Sequence, residues 1–290
     1  MLRKIVEEFS GVSLKKYVFG SGEPRILITA GIHGDEATGV YAAIELIEEL
    51  KKEKVAGSVV VVPVVNPLGF EARKRENPVD NVDLNRVFPE GSGSPITRGI
   101  VTSIWEDALS SDYVLDLHCA GNHSYQYILA LHEEFDVVRS FVSKIPWEIV
   151  VESTGLRGQL FIEATHAGIP GAIIETVGGQ GFFSPEWGRK LVDILLNLLR
   201  NLEIVEGKGC AVNQRYLSRI ERIKSEYSGF FYPEDVLGKF IKENDALGKV
   251  DDNIVSSKVG GFVTGLAAWR YVFKGDYLAS IARYKENNTK

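Results

Sequence analysis

The chain has 290 residues, of which 44% are hydrophobic and 25% are charged. This is the composition of an ordinary globular protein and it excludes fibrous and disordered classes. The formal net charge of −6 and the pI of about 5.5 oppose the basic surface of a nucleic-acid-binding protein or of a protein that docks on anionic lipid. The N-terminus lacks an apolar signal-like segment, and no stretch reaches about 18 consecutive apolar residues. We therefore expect a cytoplasmic protein with small-molecule partners and no nucleic acid or membrane partner, and homo-oligomerisation is left open.

Apolar, β-branched runs alternate with amphipathic helical segments from the N-terminus to about residue 200. Strands are predicted at 25–30, 57–66, 112–119, 125–131, 148–153 and 171–177, and helices at 36–52, 97–109 and 184–203. Because several of these strands lack polar alternation, both of their faces must be buried. The pattern predicts an α/β fold whose mixed, mostly buried central sheet is flanked by helices.

The chain changes character after the helix that ends near Leu202. Short strands follow, separated by Gly-Asp and Asn-Asp turns, which is typical of a small all-β domain. We predict two domains, a larger one at residues 1–205 and a small C-terminal β domain at residues 206–290.

His33 and Glu36 lie in a turn between a predicted strand and a predicted helix, and their spacing lets both side chains reach one ion. His118 ends another strand, and strand ends in an open α/β sheet face a common crevice. Three protein ligands and an open fourth position are the arrangement of a catalytic zinc. Asp116, two residues upstream, either lies near His118 or caps the strand end.

The remaining histidines, His123, His132 and His166, fall in segments that we interpret as loop or solvent-facing. Cys119 has no base of its own, and no G-x-S-x-G sequence is present. Cysteine and serine hydrolase mechanisms are therefore not favoured.

Several short motifs occur in one order along residues 25 to 180. They are His-Gly-Asp-Glu at 33–36, Asn-Pro-x-x-Phe at 66–70, Asp-Leu-Asn-Arg-Val-Phe-Pro at 83–89, Asp-Leu-His at 116–118 and Gly-x-Pro-Gly-x-x-x-Glu at 168–175. In this order they resemble the succinylglutamate desuccinylase and aspartoacylase family, which is related to the zinc carboxypeptidases. The resemblance implies a zinc carboxypeptidase-like catalytic domain, followed by a β domain that resembles a barrel-sandwich hybrid.

The resemblance also implies roles for individual residues. His33, Glu36 and His118 would be the zinc ligands, and Asp83 would steady a ligand histidine. Asn85 and Arg86 would hold a substrate carboxylate, a role that suits the planar fork of a guanidinium group.

Two further residues would act on the reacting atoms. Arg75, nine residues after Asn66, matches the family arginine that polarises the scissile carbonyl, and this spacing favours it over Arg73 in the same charged run. Glu175 ends an apolar strand, where packing poorly explains a carboxylate, and it matches the family glutamate that transfers protons.

The function implied is that of a zinc-dependent hydrolase, a deacylase with one Zn²⁺ per chain, that cleaves the amide bond of an N-acyl amino acid or similar small carboxylate. Two alternatives stay open. The first is a zinc carboxypeptidase that acts on short peptides, and the second is a catalytically idle metal-binding scaffold.

Overall fold

A computed structural model describes residues 2–285, and its central feature is a large mixed sheet. The strands of this sheet are β1 (Leu2–Phe9), β2 (Val12–Gly20), β3 (Arg25–Ala30), β4 (Ser58–Val62), β5 (Tyr113–Gly121), β6 (Tyr127–Ala130), β7 (Ile149–Glu152), β8 (Gly171–Val177) and β9 (Arg215–Leu217). Their spatial order is β1-β2-β4-β3-β5-β8-β6-β7-β9. Strands β4, β3, β5 and β8 are parallel, whereas β6 runs antiparallel to β8. The sheet is therefore mixed, as the sequence predicted.

Helices cover both faces of this sheet. They are α1 (Ala37–Leu50), α2 (Pro67–Ala72), α3 (Pro95–Leu109), α4 (Asp136–Val142), α5 (Leu160–His166) and α6 (Pro185–Asn201), and a short 3-10 helix spans Leu84–Arg86. The hydroxyl groups of Ser94 and Ser184 accept hydrogen bonds from backbone N–H groups in the first turns of α3 and α6. One apolar core contains residues of α1 and α6, and a second contains residues of α3 and α5. The fold class predicted from the sequence is confirmed.

The C-terminal part consists of short strands with a separate core. They are β10 (Ile220–Lys224), β11 (Gly229–Pro233), β12 (Phe240–Ile241), β13 (Ala246–Val250), β14 (Asn253–Ser256), β15 (Gly261–Leu266), β16 (Arg270–Val272) and β17 (Tyr277–Arg283). Within the described residues they form two antiparallel sheets, in the orders β10-β17-β15-β12 and β14-β13-β11-β16. Strand β9, which follows residue 205, belongs to the edge of the large sheet. The division at residues 205 and 206 stays a prediction.

An apolar contact joins the C-terminal strands to the large sheet. Tyr127, Ile149 and Leu217 of the large sheet pack with Phe262 and Ala282 of the C-terminal strands. This contact holds β10 and β17 against the part of the large sheet where β6 begins. Between residues 2 and 285, no helix has the length and apolar character needed to cross a bilayer.

The packing of α1 generates a test of the core. Leu46 is completely buried in the core between α1 and the sheet, whereas Ile44 on the same helix is 45% exposed. Leu46→Ala should lower the free energy of unfolding by about 2–5 kcal/mol, because it removes buried methyl groups and leaves a cavity. Ile44→Ala is the control and should cost less than about 1 kcal/mol. Urea denaturation measures both values, and equal losses would contradict the packing described here.

Candidate metal centre

His33 and Glu36 lie in the turn between β3 and α1, and this turn is held against α2. The backbone N–H of Gly34 donates to the carbonyl of Lys74 at 2.9 Å. A Cβ atom at Gly34 would lie 1.9 Å from the carbonyl carbon of Gly69, so only glycine allows this approach. The turn therefore has a fixed position relative to the sheet, and so do the two side chains that it carries.

His118 comes to the same point from β5, which runs parallel to β3 with Leu117 paired to Ala30. The Nδ1 atoms of His33 and His118 are 3.0 Å apart. Glu36 spans both of them, with Oε1 at 2.8 Å from Nδ1 of His33 and Oε2 at 3.1 Å from Nδ1 of His118. The three side chains are buried, and their donor atoms all lie within 4.8 Å of one another. This group could hold a metal ion.

The outer nitrogens of both imidazoles face carboxylates. Nε2 of His33 lies 3.2 Å from Oδ1 of Asp83, and Nε2 of His118 lies 2.6 Å from Oδ2 of Asp116. The hydroxyl of Thr29 donates to the other oxygen of Asp116 at 2.7 Å, which fixes that carboxylate in place. Because an ionised carboxylate only accepts hydrogen bonds, each Nε2 carries a hydrogen, and Nδ1 is the atom that each ring, when neutral, offers to a metal ion.

The electrostatics of the group favour positive charge at its centre. Burial alone would raise the pKa of Glu36, but His118 and His33 outweigh it and hold that pKa well below its ordinary value. Burial alone would lower the pKa of His118, yet Asp116 and Glu36 raise it well above the usual value. The pKa of His33 is raised in the same way, against burial, by Asp83 and Glu36. Positive charge on the imidazoles is therefore stabilised beside Glu36, and a metal ion bound at this place would supply that positive charge instead.

Glu175 stands beside this group on β8, where it is paired in register with His118 on β5. Its Oε2 atom is buried and has no hydrogen-bond partner among residues 2–285. Burial raises the pKa of Glu175 to about 7, His118 lowers it in part, and Glu36 raises it. Packing does not account for this carboxylate, as the sequence indicated.

The side chain of Arg75 lies beside His33 and Glu36, whereas the side chain of Arg73 does not. The Arg75 side chain donates to Oδ2 of Asp83 at 3.0 Å, and its Nη1 atom lies 3.3 Å from Nδ1 of His33 and 3.8 Å from Oε1 of Glu36. Arg73 ends α2 and is exposed. The spacing of the sequence motifs favours Arg75 over Arg73, and the position of the Arg75 side chain agrees with that preference.

Asn85 and Arg86 differ in how many of their hydrogen-bonding groups remain available to bind a ligand. Asn85 is 2% exposed, and its Oδ1 atom accepts from the backbone N–H of Leu160 at 2.9 Å while its Nδ2 atom lies 3.4 Å from Nε2 of His118. The Arg86 side chain is 42% exposed and lines the cavity described next, and its Nη1 atom donates to the carbonyl of Asn85 at 2.6 Å. Arg86 thus has donors left for a ligand, whereas the amide oxygen of Asn85 is already engaged.

A cavity of about 750 Å³ opens over the metal group. All the predicted side chains of the site except Asp83 line it, and so do side chains that the sequence did not single out. The latter include Tyr127, Leu129, Glu152 and Ile173 from the large sheet, and Ile220, Glu221, Arg222 and Ser280 from β10 and β17. Glu152 ends an apolar strand as Glu175 does, so the signal that identified one carboxylate was present for the other.

His132 lies in a turn, in agreement with its interpretation as a loop residue, but the alternative that it faces solvent is wrong. His132 is 1% exposed, whereas His123 and His166 are exposed as expected. It follows β6 directly and packs edge-on against the ring of Tyr216. The sequence gave no sign of this contact because Tyr216 lies 84 positions further along the chain.

The fold is mixed α/β, and the site combines a buried group that could hold a metal ion with a carboxylate, Glu175, that has an unpartnered oxygen atom among the described residues. The catalytic-domain model of the succinylglutamate desuccinylase/aspartoacylase family matches residues 22–202, and the chain belongs to this family.

Relatives of known name match parts of the chain. An Nα-acetyl-L-2,4-diaminobutyric acid deacetylase from Halomonas elongata is 38% identical over 99 residues, which are 34% of this chain and 29% of that protein. Carboxypeptidase SOL1 from Arabidopsis thaliana is 37% identical over 78 residues, 23% of this chain and 16% of that protein. The chain therefore matches less than a third of the length of either relative.

A solved structure extends the likeness to almost the whole chain. The succinylglutamate desuccinylase/aspartoacylase from Rhodobacter sphaeroides superposes with a TM-score of 0.78 at 24% identity, and the match covers 95% of this chain and 90% of that one. At this identity the likeness concerns the fold, including the C-terminal strands.

The carboxylate behind His118 provides a test of the centre. Asp116→Asn should lower the affinity for zinc by about 10- to 100-fold, because the amide no longer fixes the Nε2–H tautomer of His118. Asp112→Asn is the matched control, since Asp112 precedes the same strand and its Oδ2 atom accepts from the backbone N–H of Arg25, at 2.7 Å, and not from a histidine. Competition with a chelator of known affinity measures both variants. An Asp116→Asn protein that binds zinc as tightly as the unchanged protein would contradict the role given to Asp116.

Proposed function

We propose that the protein is a zinc-dependent hydrolase that cleaves the amide bond of an N-acyl amino acid or a similar small carboxylate. The observation that carries this proposal is the unpartnered Glu175 carboxylate beside a buried His33-Glu36-His118 group. Family membership supports amide hydrolysis. The free thiols of Cys119 and Cys210 agree with the cytoplasmic location that we also propose.

The donor set fits zinc. Two imidazole nitrogens and a carboxylate oxygen are common ligands of this ion, and three protein ligands leave a fourth position open. Each chain would hold one ion, with the imidazoles oriented by Asp83 and Asp116. When bound there, zinc would lower the pKa of water and polarise a carbonyl group.

Glu175 has the position of a general base and acid. Its free oxygen would take a proton from the attacking water and later deliver it to the leaving nitrogen of the amide. A carboxylate with no competing hydrogen bond can serve both steps without breaking an existing contact. The Arg75 guanidinium, beside the metal group, would stabilise the negative charge that develops on the carbonyl oxygen.

Asn85 and Arg86 would bind the carboxylate of the substrate and hold the scissile bond near the metal group. Arg86 is the stronger candidate for direct contact because its guanidinium lines the cavity with donors to spare. The amide of Asn85 is held by Leu160, so this residue would contribute mainly by fixing the position of Arg86.

A second candidate function is that of a carboxypeptidase. The partial likeness to carboxypeptidase SOL1 supports it, and a substrate carboxylate at Arg86 would serve peptides equally well. The likeness to a deacetylase that acts on an N-acetylated amino acid is longer and supports the deacylase. The third alternative, an idle metal-binding scaffold, leaves the unpartnered carboxylate of Glu175 without a role.

The experiment that separates these functions is a substrate panel. Protein freed of metal with a chelator and reloaded with zinc is incubated with N-acetyl, N-formyl and N-succinyl amino acids and with short peptides. Release of the free acid from acyl amino acids is the expected result, whereas release of C-terminal residues from peptides would favour the carboxypeptidase. No turnover across the whole panel would contradict hydrolysis and favour the scaffold.

Glu175→Gln tests the proton-transfer role. This variant should still bind one zinc per chain while kcat falls by about 10²- to 10⁴-fold, because the amide cannot accept the proton. Glu186→Gln, the same change at an exposed position in α6, is the control and should leave both quantities unchanged. Elemental analysis gives the metal content and product release gives kcat. Loss of zinc from the Glu175→Gln protein would instead make Glu175 a ligand.

A further inference from the structure

Strand β1 forms a free edge of the large sheet. It is paired with β2 from Leu2 to Phe9 without a bulge, and no other strand among residues 2–285 pairs with it. Edge strands are commonly shortened, bulged or interrupted by proline, because their free N–H and C=O groups would otherwise bind another strand. Strand β1 is eight residues long and regular, and it contains neither proline nor glycine. Its outer edge is therefore a complete template for one further strand.

Apolar side chains are exposed on both faces of β1. Ile5 is 39% exposed on one face, and Val6 is 48% exposed on the other. An edge strand that serves only its own chain has little reason to present apolar groups to water on two faces. A strand that receives a partner along its edge would cover them.

The hairpin turn determines which backbone groups of β1 are free. Ser10 and Gly11 have φ values of 51° and 85°, as in a two-residue turn of type I′, and they connect Phe9 to Val12. In such a hairpin the two flanking residues exchange both of their backbone hydrogen bonds, and every second pair along the ladder does the same. The N–H and C=O groups that point to the free edge are therefore those of Leu2, Lys4, Val6 and Glu8.

Two opposite charges on one face of β1 have no ionic partner. The ammonium group of Lys4 lies 5.9 Å from the centre of the Tyr17 ring, and the Glu8 carboxylate accepts from the hydroxyl of Ser13. Within the described part of the chain, neither Lys4 nor Glu8 forms an ion pair. The strand thus carries a free positive charge in its first half and a free negative charge in its second half.

A second copy of β1 matches this edge in direction and in charge. A two-fold axis perpendicular to the sheet makes the two edge strands antiparallel, and it places side chains opposite each other on the same face. With Val6 on the axis, Lys4 of each copy lies opposite Glu8 of the other copy. Opposite charges at such directly facing positions stabilise a pair of strands.

The neighbouring register is less favourable. With Ile5 on the axis, Arg3 would face Glu7, but the Glu7 carboxylate already lies 2.8 Å from Nζ of Lys16. Lys4 would then face an apolar side chain. The free charges of the strand are matched only when Val6 is on the axis.

We propose that two copies of this chain associate by antiparallel pairing of their β1 strands, with Val6 on the two-fold axis. The pairing adds about six backbone hydrogen bonds and two Lys4–Glu8 ion pairs, and it joins the two large sheets into one. No residue of β1 lines the cavity over the metal group, so the contact leaves both cavities accessible. The inference does not depend on the amide hydrolysis proposed above.

Reversal of the two charges tests the pairing by analytical ultracentrifugation. Over a loading range of about 1 to 100 µM, the unchanged protein should approach twice its mass of 32.1 kDa. Lys4→Glu and Glu8→Lys should each raise the Kd of the dimer about 10- to 100-fold, because two attractive pairs become repulsive. The double variant should regain the original Kd. An equimolar mixture of the two single variants should form a heterodimer, since each then supplies the charge that the other lacks.

Two further variants separate the contact from general effects of charge and stability. Lys242→Glu is the matched control, since Lys242 is an exposed lysine after β12 in the C-terminal strands, and it should leave the Kd unchanged. Val6→Pro removes an N–H that points to the free edge and not to β2, so the dimer should be lost while the monomer stays folded. Circular dichroism and thermal unfolding show whether each variant is folded.

Four outcomes would overturn the inference. They are a monomer of the unchanged protein throughout the loading range, a dimer that both single reversals leave intact, a folded double variant that stays monomeric, and a loss in Lys242→Glu as large as that in Lys4→Glu. The second outcome would place the contact on another surface. Each of these results is obtained without a substrate, so failure of the proposed hydrolysis would not affect them.

Discussion

The site depends on two imidazoles and one carboxylate that the fold buries within contact of one another. His118 lies on β5, and His33 lies in the turn that follows the neighbouring parallel strand β3, so that their Nδ1 atoms are 3.0 Å apart. Asp83 and Asp116 turn the lone pairs inward, and Glu36 adds a carboxylate between them. Burying such a group costs free energy unless a cation occupies its centre. A bound metal ion should therefore stabilise this end of the sheet, in addition to its part in the proposed hydrolysis.

The C-terminal strands complete the cavity that this centre opens into. On β10, Ile223 faces the core of the C-terminal strands, so alternation turns Arg222 toward the opposite face. Arg222 pairs in register with Ser280 on β17, and both residues line the cavity. A small β domain at this place could shape the mouth of the site or build an interface. The lining residues favour the first role, because without β10 and β17 the cavity would be open on one side.

Those parts of the structure that depend on local patterns could be predicted from the sequence. The apolar strand at Ser58–Val62 and the amphipathic helix at Pro185–Asn201 are formed by short-range periodicity, and both were predicted. His33, Glu36 and His118 were predicted to meet because strand ends in a parallel sheet share one edge.

Contacts made by tertiary packing could not be predicted in this way. The bond from Leu160 to Asn85 joins residues 75 positions apart, and no local pattern contains it. Likewise, nothing in the segment around His132 shows that Tyr216 and Glu152 will enclose it. The position of Asp116 was an intermediate case. Its spacing of two from His118 allowed a contact, and the tertiary bond from Thr29 determined which of two arrangements forms.

Glu175 and Glu152 show why a perturbed pKa alone does not assign a role. Both carboxylates are held near a pKa of 7 by burial, and both have one oxygen atom without a partner in the described residues. Their surroundings differ. Glu175 has His118 and Arg75 nearby, which favour its ionised form, so a proton can be gained and lost close to the metal group.

Glu152 lies near Glu133 and Glu134, and these two carboxylates pair with Lys285 and Arg219. By strand alternation the Glu152 side chain lies on the opposite face of the sheet from Glu175, so a proton gained there is remote from the reacting bond. An uncompensated carboxylate in the interior costs stability at both positions, but the compensation differs. At Glu175 the proton exchanged with the reacting groups supplies it, whereas at Glu152 a proton that takes no part in the proposed reaction does so, because its pKa is about 7.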